Sequence, residues 1–162
     1  MAVDDREQDL VRERVKERDH YPALISGARR DGILLVRIVD APYTGKKPFD
    51  MFGIRKGRGI AVEVKKSRFS CLNPTGRPVG LESLAKLEPH QKTWLSVWAR
   101  EDGISLVVVL SADSASCGIW QVTGDGYRRL KDLVKMDECW VGWPSDDLLE
   151  FQSDSRPRLS GG

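Results

Sequence analysis

The sequence predicts an α/β domain in which a central mixed β-sheet is flanked by helices. Three observations carry that reading. Two stretches show helical spacing of apolar residues, one over 4–20 and one starting at Pro89. Ile104–Leu110 is almost wholly apolar, as expected of a central strand covered on both faces. The order helix, three strands, helix, strand and smaller elements yields a mixed sheet with helical layers.

The elements follow in order. Over 4–20, residues set about 100° apart place Val3, Leu10, Val11 and Val15 on one stripe. After the Asp31-Gly32 turn signal, the run 33–39 (ILLVRIV) is rich in β-branched and aliphatic residues and reads as a strand. A loop with Pro42 and Gly45 leads to two strands, 48–55 and 58–65, joined at Lys56-Gly57, a dipeptide suited to a two-residue hairpin turn. Residues 67–80 (SRFSCLNPTGRPVG) form a long loop, being rich in Gly, Pro, Ser and Asn. Pro89 suits the first position of a helix running to about Glu101, with Trp94, Leu95 and Trp98 as its apolar stripe. A strand at 104–110, a strand near 118–123, a short helix near 126–134 and a last strand near 138–143 complete the domain, which spans 1–151. Residues 152–162 lack core-forming side chains and are expected to be disordered.

With 162 residues the chain fits one domain and can bury a sizeable core. No apolar run approaches membrane-spanning length, and the amino-terminal MAVDDREQDL is too charged for a signal peptide. Three widely spaced cysteines (Cys71, Cys117 and Cys139) without a Cys-x-x-Cys pair argue against a disulfide framework or structural zinc, and for the cytoplasm. The net charge of +2 hides a strong asymmetry. Lys46, Lys47, Arg55, Lys56, Arg58, Lys65, Lys66 and Arg68 surround only Asp50 and Glu63, whereas 136–155 carries acids and no base. A basic stretch of this kind suits a polyanion, and a solvated hairpin face would show the same run.

The chemistry centres on that hairpin. In Ile60-Ala61-Val62-Glu63-Val64-Lys65, alternation sends Ile60, Val62 and Val64 one way and Ala61, Glu63 and Lys65 the other. A two-residue turn at Lys56-Gly57 places Asp50 directly across from Glu63, with Cβ atoms about 5 Å apart. Two carboxylates so close repel one another unless a proton or cation lies between them. Oxygen ligands favour magnesium or manganese, held by Asp50, Glu63 and the Val64 carbonyl. The ion would polarise a phosphate and acidify a bound water, and Lys65 could orient that water or stabilise charge on the phosphorane.

Pro48-Phe49-Asp50, followed after a twelve-residue gap by Glu63-Val64-Lys65, resembles the PD-(D/E)xK nuclease superfamily, in particular Holliday-junction resolvases of the RecU-like and archaeal types. The phrase FDMFGIRKGRGIAVEVKKSR is similar to their strand–turn–strand core, and LEPHQKTWLSVWAREDGISLVVVLS to their His-Gln helix and buried strand. Glu7-x-x-Leu10-Val11 is similar to the acid-bearing first helix of the archaeal enzymes, and the likeness covers about 5–122. It implies a restriction-endonuclease-like fold and a magnesium-dependent endodeoxyribonuclease acting on branched DNA as a homodimer.

Glu7 falls inside the apolar stripe of the first helix, so it either meets the metal-bearing face or is solvated in a frayed turn. Glu13 and Glu17 fall outside that stripe. Gln91 aligns with the stripe of its helix and should face inward, in a supporting role. His90, at a helix start, is more often a capping or exposed residue than a base. DNA contacts are expected from Lys46, Lys47, Arg55, Lys56, Arg58, Lys66 and Arg68, and from Arg77 in the long loop. The tryptophans read as core or dimer-interface residues. RecU-like enzymes carry a projecting insertion where this chain has only Asp40 to Lys47, which bears on junction specificity rather than on cleavage. Nucleases for duplex or single-stranded DNA, and a non-catalytic DNA-binding module, are the rival readings; the clustered acids speak against the last.

Overall fold

A computed structural model describes residues 17–39, 47–77 and 79–150. Its frame is a seven-stranded sheet in the order β1 (Leu34–Arg37), β2 (Met51–Arg55), β3 (Arg58–Lys66), β4 (Ile104–Leu110), β5 (Cys117–Thr123), β6 (Gly126–Met136) and β7 (Cys139–Val141). Every neighbouring pair is antiparallel except β3 and β4. That one parallel pair needs a crossover, supplied by the stretch holding helix α3 (Pro89–Arg100). The result is a mixed α/β sheet.

Helix α1 (Tyr21–Arg30) covers one face, packing Tyr21, Leu24 and Ala28 on Leu35, Met51, Ile60, Val62 and Val64. The short helix α2 (Leu81–Leu84) and α3 cover the other, where Leu84 and Leu95 meet Ala61, Val107, Val109 and Trp120. All seven residues of β4 are buried, so this strand, apolar but for Ser105, serves both layers. The three cysteines are free. Among the described residues, no helix is long and apolar enough to cross a membrane.

The structure departs from the sequence-based expectation at three elements. The helix expected over 4–20 lies outside the described residues apart from 17–20, of which 17–19 are helical. Directly after them comes α1, which the apolar pattern does not predict. Pro22 and Gly27 look like breakers, yet Pro22 occupies the first turn, where no N–H is needed. Gly27 permits close approach, since a Cβ there would lie 1.6 Å from the Trp140 carbonyl oxygen. The short helix expected at 126–134 is instead the long strand β6. A bulge opposite Ile119/Trp120 inserts Leu130 between Arg129 and Lys131, so Tyr127, Leu130 and Leu133 recur at a spacing of three that imitates a helix. In α3, Leu95 is fully buried and Trp98 partly so, but Trp94 is 49% exposed, which corrects its placement in a buried stripe.

Candidate active site

The hairpin turn sets the geometry. Lys56 and Gly57 both have positive φ, 49° and 79°, the conformation of a type I′ turn. The register that follows pairs Arg55 with Arg58 and Met51 with Val62, where the pairing ends; one residue further on, the Asp50 and Glu63 side chains come into contact. β2 starts only at Met51, so beyond Val62 the edge of β3 has no strand partner on that side. Asp50 fills the opening. Its N–H donates to the Val62 carbonyl at 3.1 Å, and its Oδ2 accepts the Val64 N–H at 2.8 Å. The Val64 carbonyl projects from the same edge, because a residue's N–H and C=O point the same way in a strand.

Glu63 is 2% exposed. Its Oε1 accepts from Gln91 Nε2 at 2.8 Å, and Lys65 Nζ lies 3.9 Å away. Its Oε2 is buried and meets no hydrogen-bond partner. Burial first, then the charge and the hydrogen-bonding contact of Asp50, raise the Glu63 carboxyl well above the usual range. That contact with Asp50 falls short of satisfying Oε2. On the other side, Lys47 Nζ holds Asp50 Oδ1 at 2.9 Å.

Two residues of the amino-terminal helical segment join this cluster: Glu17, a weaker candidate by periodicity because it falls outside the apolar stripe, and Tyr21, which sequence reasoning did not single out. Glu17 reaches the open β3 edge and accepts the Lys66 backbone N–H; burial and then Asp50 raise its carboxyl. The Tyr21 hydroxyl lies within hydrogen-bonding reach of Asp50, and burial, then the Asp50 charge, push it up. Glu17, Tyr21, Leu24 and Ala28 recur at helical spacing, so periodicity carried through Pro22 would have revealed them.

The structure therefore brings Asp50, Glu63, Lys65, Gln91 and the Val64 backbone together, with Lys47 and Lys66 alongside. Glu7 and Lys46 lie outside the described residues. The basic stretch divides in space. Lys56 is six residues beyond Asp50 along the hairpin, about 20 Å at strand rise. At that far end Arg55 hydrogen-bonds the Pro144 carbonyl and pairs with Asp146, Lys56 also pairs with Asp146, and Arg58 reaches the Asp102 carbonyl. These three lie at the hairpin tip, remote from the carboxylates, and each is tied there to a neighbouring segment. Arg68 and Arg77 are exposed on the loop after β3.

No family model matches the chain, and no curated protein matches it. Among solved structures, Hjc, a Holliday junction resolvase of the archaeal hyperthermophile Archaeoglobus fulgidus, is similar at 16% identity and a TM-score of 0.45, over 70% of this chain and 87% of that one. At that level the likeness carries nothing about activity, which has to be argued from the residues.

The donor set fits a hard divalent cation. Among the described residues no three His, Cys, Asp or Glu side chains gather tightly enough to share an ion. Two carboxylates and a carbonyl, completed by water and substrate oxygens, are nonetheless the shell that magnesium accepts. The orphaned Glu63 Oε2, facing a second buried carboxylate, is the observation that such an ion would resolve.

Proposed function

We propose that the chain is a divalent-metal-dependent endodeoxyribonuclease that hydrolyses phosphodiester bonds, with branched DNA, four-way junctions foremost, as its substrate and with two copies of the chain acting together. The observation that carries the nuclease reading is the buried Asp50–Glu63 pair with an unsatisfied Glu63 oxygen and Lys65 beside it. Holding two buried acids together costs stability, and a binding module has no use for them.

Asp50, Glu63 and the Val64 carbonyl would hold magnesium or manganese, which when bound supplies Lewis acidity toward a phosphate oxygen and acidifies a water. The chain's own residues do the rest. Gln91 keeps Glu63 pointed at the β3 edge, and the Val64 N–H does the same for Asp50. Lys65 brings a positive charge to the place where the phosphorane gathers negative charge, or orients the attacking water. Glu17, on the same edge, is placed to accept a proton from that water. Lys47, now paired with Asp50, would be available to a phosphate were a cation to take over that carboxylate. The scissile P–O3′ bond would break as the water oxygen bonds to phosphorus, the departing 3′-oxygen taking a proton from solvent, to leave a 5′-phosphate and a 3′-hydroxyl.

The test compares labelled four-way junction, flap, duplex and single-stranded DNA with magnesium and with EDTA, for the wild type and Asp50→Asn. Cleavage confined to magnesium and lost in Asp50→Asn is expected, with the junction cut fastest. Full activity in EDTA, or in Asp50→Asn, defeats the mechanism. Equal rates on duplex and junction would make it a general DNA endonuclease.

A further inference from the structure

A cleft of about 510 Å³ opens between the tip of the β2–β3 hairpin and the carboxyl-terminal half of α3. That volume falls within the range of roughly 300–1,000 Å³ common to ligand sites. Partly buried Trp98 lines it, its indole N–H donating to the Gly59 carbonyl at 3.0 Å. A Cβ on Gly59 would lie 2.9 Å from that ring and one on Gly103 2.3 Å, so two glycines admit the indole against the backbone. Trp94, one helical turn earlier on the same face of α3, lines the cleft with 49% of its surface exposed.

The charges around these rings select the occupant. Lys56 and Arg58 come from the hairpin, Glu101 and Asp102 from the end of α3. A phosphate inside the cleft would meet two carboxylates and the negative end of a helix. A lone cation would meet two bases, and a purely apolar ligand would strip water from all four charged groups. A nucleobase suits the whole set. Its π-face stacks on an indole, and its edge carries hydrogen-bond donors and acceptors together.

The Trp94 end of the cleft lies nearest the carboxylates. Trp94 is three residues, about 4.5 Å of helix rise, beyond Gln91, whose amide touches Glu63. Phe49, next to Asp50, meets Trp98 edge-on with ring centroids 5.2 Å apart. Phe52 and Ile54 follow on β2 and are 45% and 50% exposed. Ile54 pairs with Gly59, which faces Trp98, so both side chains stand on the α3 side of the sheet. A strand held at Glu63 therefore has a short apolar path to Trp94. We propose that an unpaired nucleotide of the DNA strand held at the carboxylates places its base in this cleft, stacks it on Trp94 and offers an N–H of its pairing edge to Glu101. Its phosphate stays outside, on the side of Lys56, whose side chain is 73% exposed. This deepens the reading above by naming the feature of DNA that is recognised, an unpaired base beside the cut, and rests on that reading for DNA as the partner.

The experiment reads binding in EDTA, apart from any cleavage. Fluorescence anisotropy compares a short single strand, a bulged duplex and a fully paired duplex on the full-length wild type, Trp94→Ala and Trp94→Phe, with circular dichroism of each. Trp94→Ala should weaken binding of the single strand and the bulge roughly tenfold and leave the paired duplex unchanged, and Trp94→Phe should recover most of the loss. Irradiating the wild type with a strand that carries 5-iododeoxyuridine, which needs no variant to fold, should place the adduct on Trp94. Trp94→Ala binding all three DNAs as the wild type does, an equal loss on all three, or an adduct only elsewhere overturns the proposal. Displacement of the strand by thymidine monophosphate at comparable concentration would assign the cleft to a free nucleotide and overturn it equally. A protein that takes the unpaired strand through Trp94 but cuts nothing keeps the cleft and loses the nuclease; one that cuts while indifferent to Trp94 does the reverse.

Discussion

Gln91 ties helix α3 to Glu63 with both ends of one amide. Its Nε2 donates to Glu63 Oε1 at 2.8 Å, while its Oε1 accepts the Glu88 backbone N–H at 2.9 Å within a capping box. The amide is thereby oriented by the helix start before it meets the carboxylate. Replacing Gln91 by Ala should cost about 1 kcal/mol of stability through the cap. It should lower cleavage roughly 10- to 100-fold through the freed carboxylate. Urea unfolding and single-turnover kinetics separate the two; lost stability with unchanged cleavage would leave Gln91 a capping residue alone.

Glu63 gives the fold a pH dependence of definite sign. Burial, then Asp50, raise its folded carboxyl from the ordinary 4.5 to about 9. The folded state therefore binds a proton that the unfolded state releases, and stability contributed below the unfolded value is lost as pH rises toward the folded one. Without added metal, the unfolding free energy should fall between pH 5 and pH 9 (about one proton's worth of slope). Glu63→Gln should flatten that fall and stabilise the protein by on the order of 1–3 kcal/mol at the alkaline end. A wild type whose stability stays flat across this range would show the carboxyl ionised throughout.

Lys47 competes with a cation for Asp50. Its Nζ sits 2.9 Å from Oδ1 with the side chain largely covered, so Asp50 is neutralised locally before any ion arrives. Lys47→Ala should tighten manganese binding several-fold, measured by titration calorimetry, while lowering the stability of the metal-free protein by about 1 kcal/mol. Weaker manganese binding in the variant would mean that Lys47 orders the site rather than occupying it.

Arg55 and Arg68 should behave oppositely although both belong to one basic stretch. Arg55 is held by Pro144 and Asp146 at the hairpin tip, so Arg55→Gln should destabilise by about 1–2 kcal/mol and leave DNA affinity nearly unchanged. Arg68 lies exposed three residues past Lys65, its guanidinium 5.1 Å over the Phe69 ring. Arg68→Gln should reduce the salt dependence of DNA binding by about one unit of slope at unchanged stability. Filter binding across a salt series reads both.

Local rules alone placed the centre of the hairpin. A type I′ turn at Lys56-Gly57 and a side-chain period of two leave one register, which the strands follow as far as Met51 and Val62, and which buries Val62 and Val64 on the face away from Glu63 and Lys65. The apolar run of β4 was equally legible, because a strand between two layers has no polar face to interrupt it. Where a residue's surroundings come from distant segments, the pattern was silent or misleading. Gly27 looks like a helix breaker until Trp140 is found against it, and β6 looks like a helix until the bulge against β5 is seen. Arg55 and Lys56 look like part of a basic rim until the bend at Asp50 and the acid at 146 separate them from it. Glu17 reaches the carboxylate cluster because Tyr21, Leu24 and Ala28, at helical spacing from it, pack beneath the strands. Periodicity assigns a side chain to a face of its own element; only the packing of one element on another decides what that face meets.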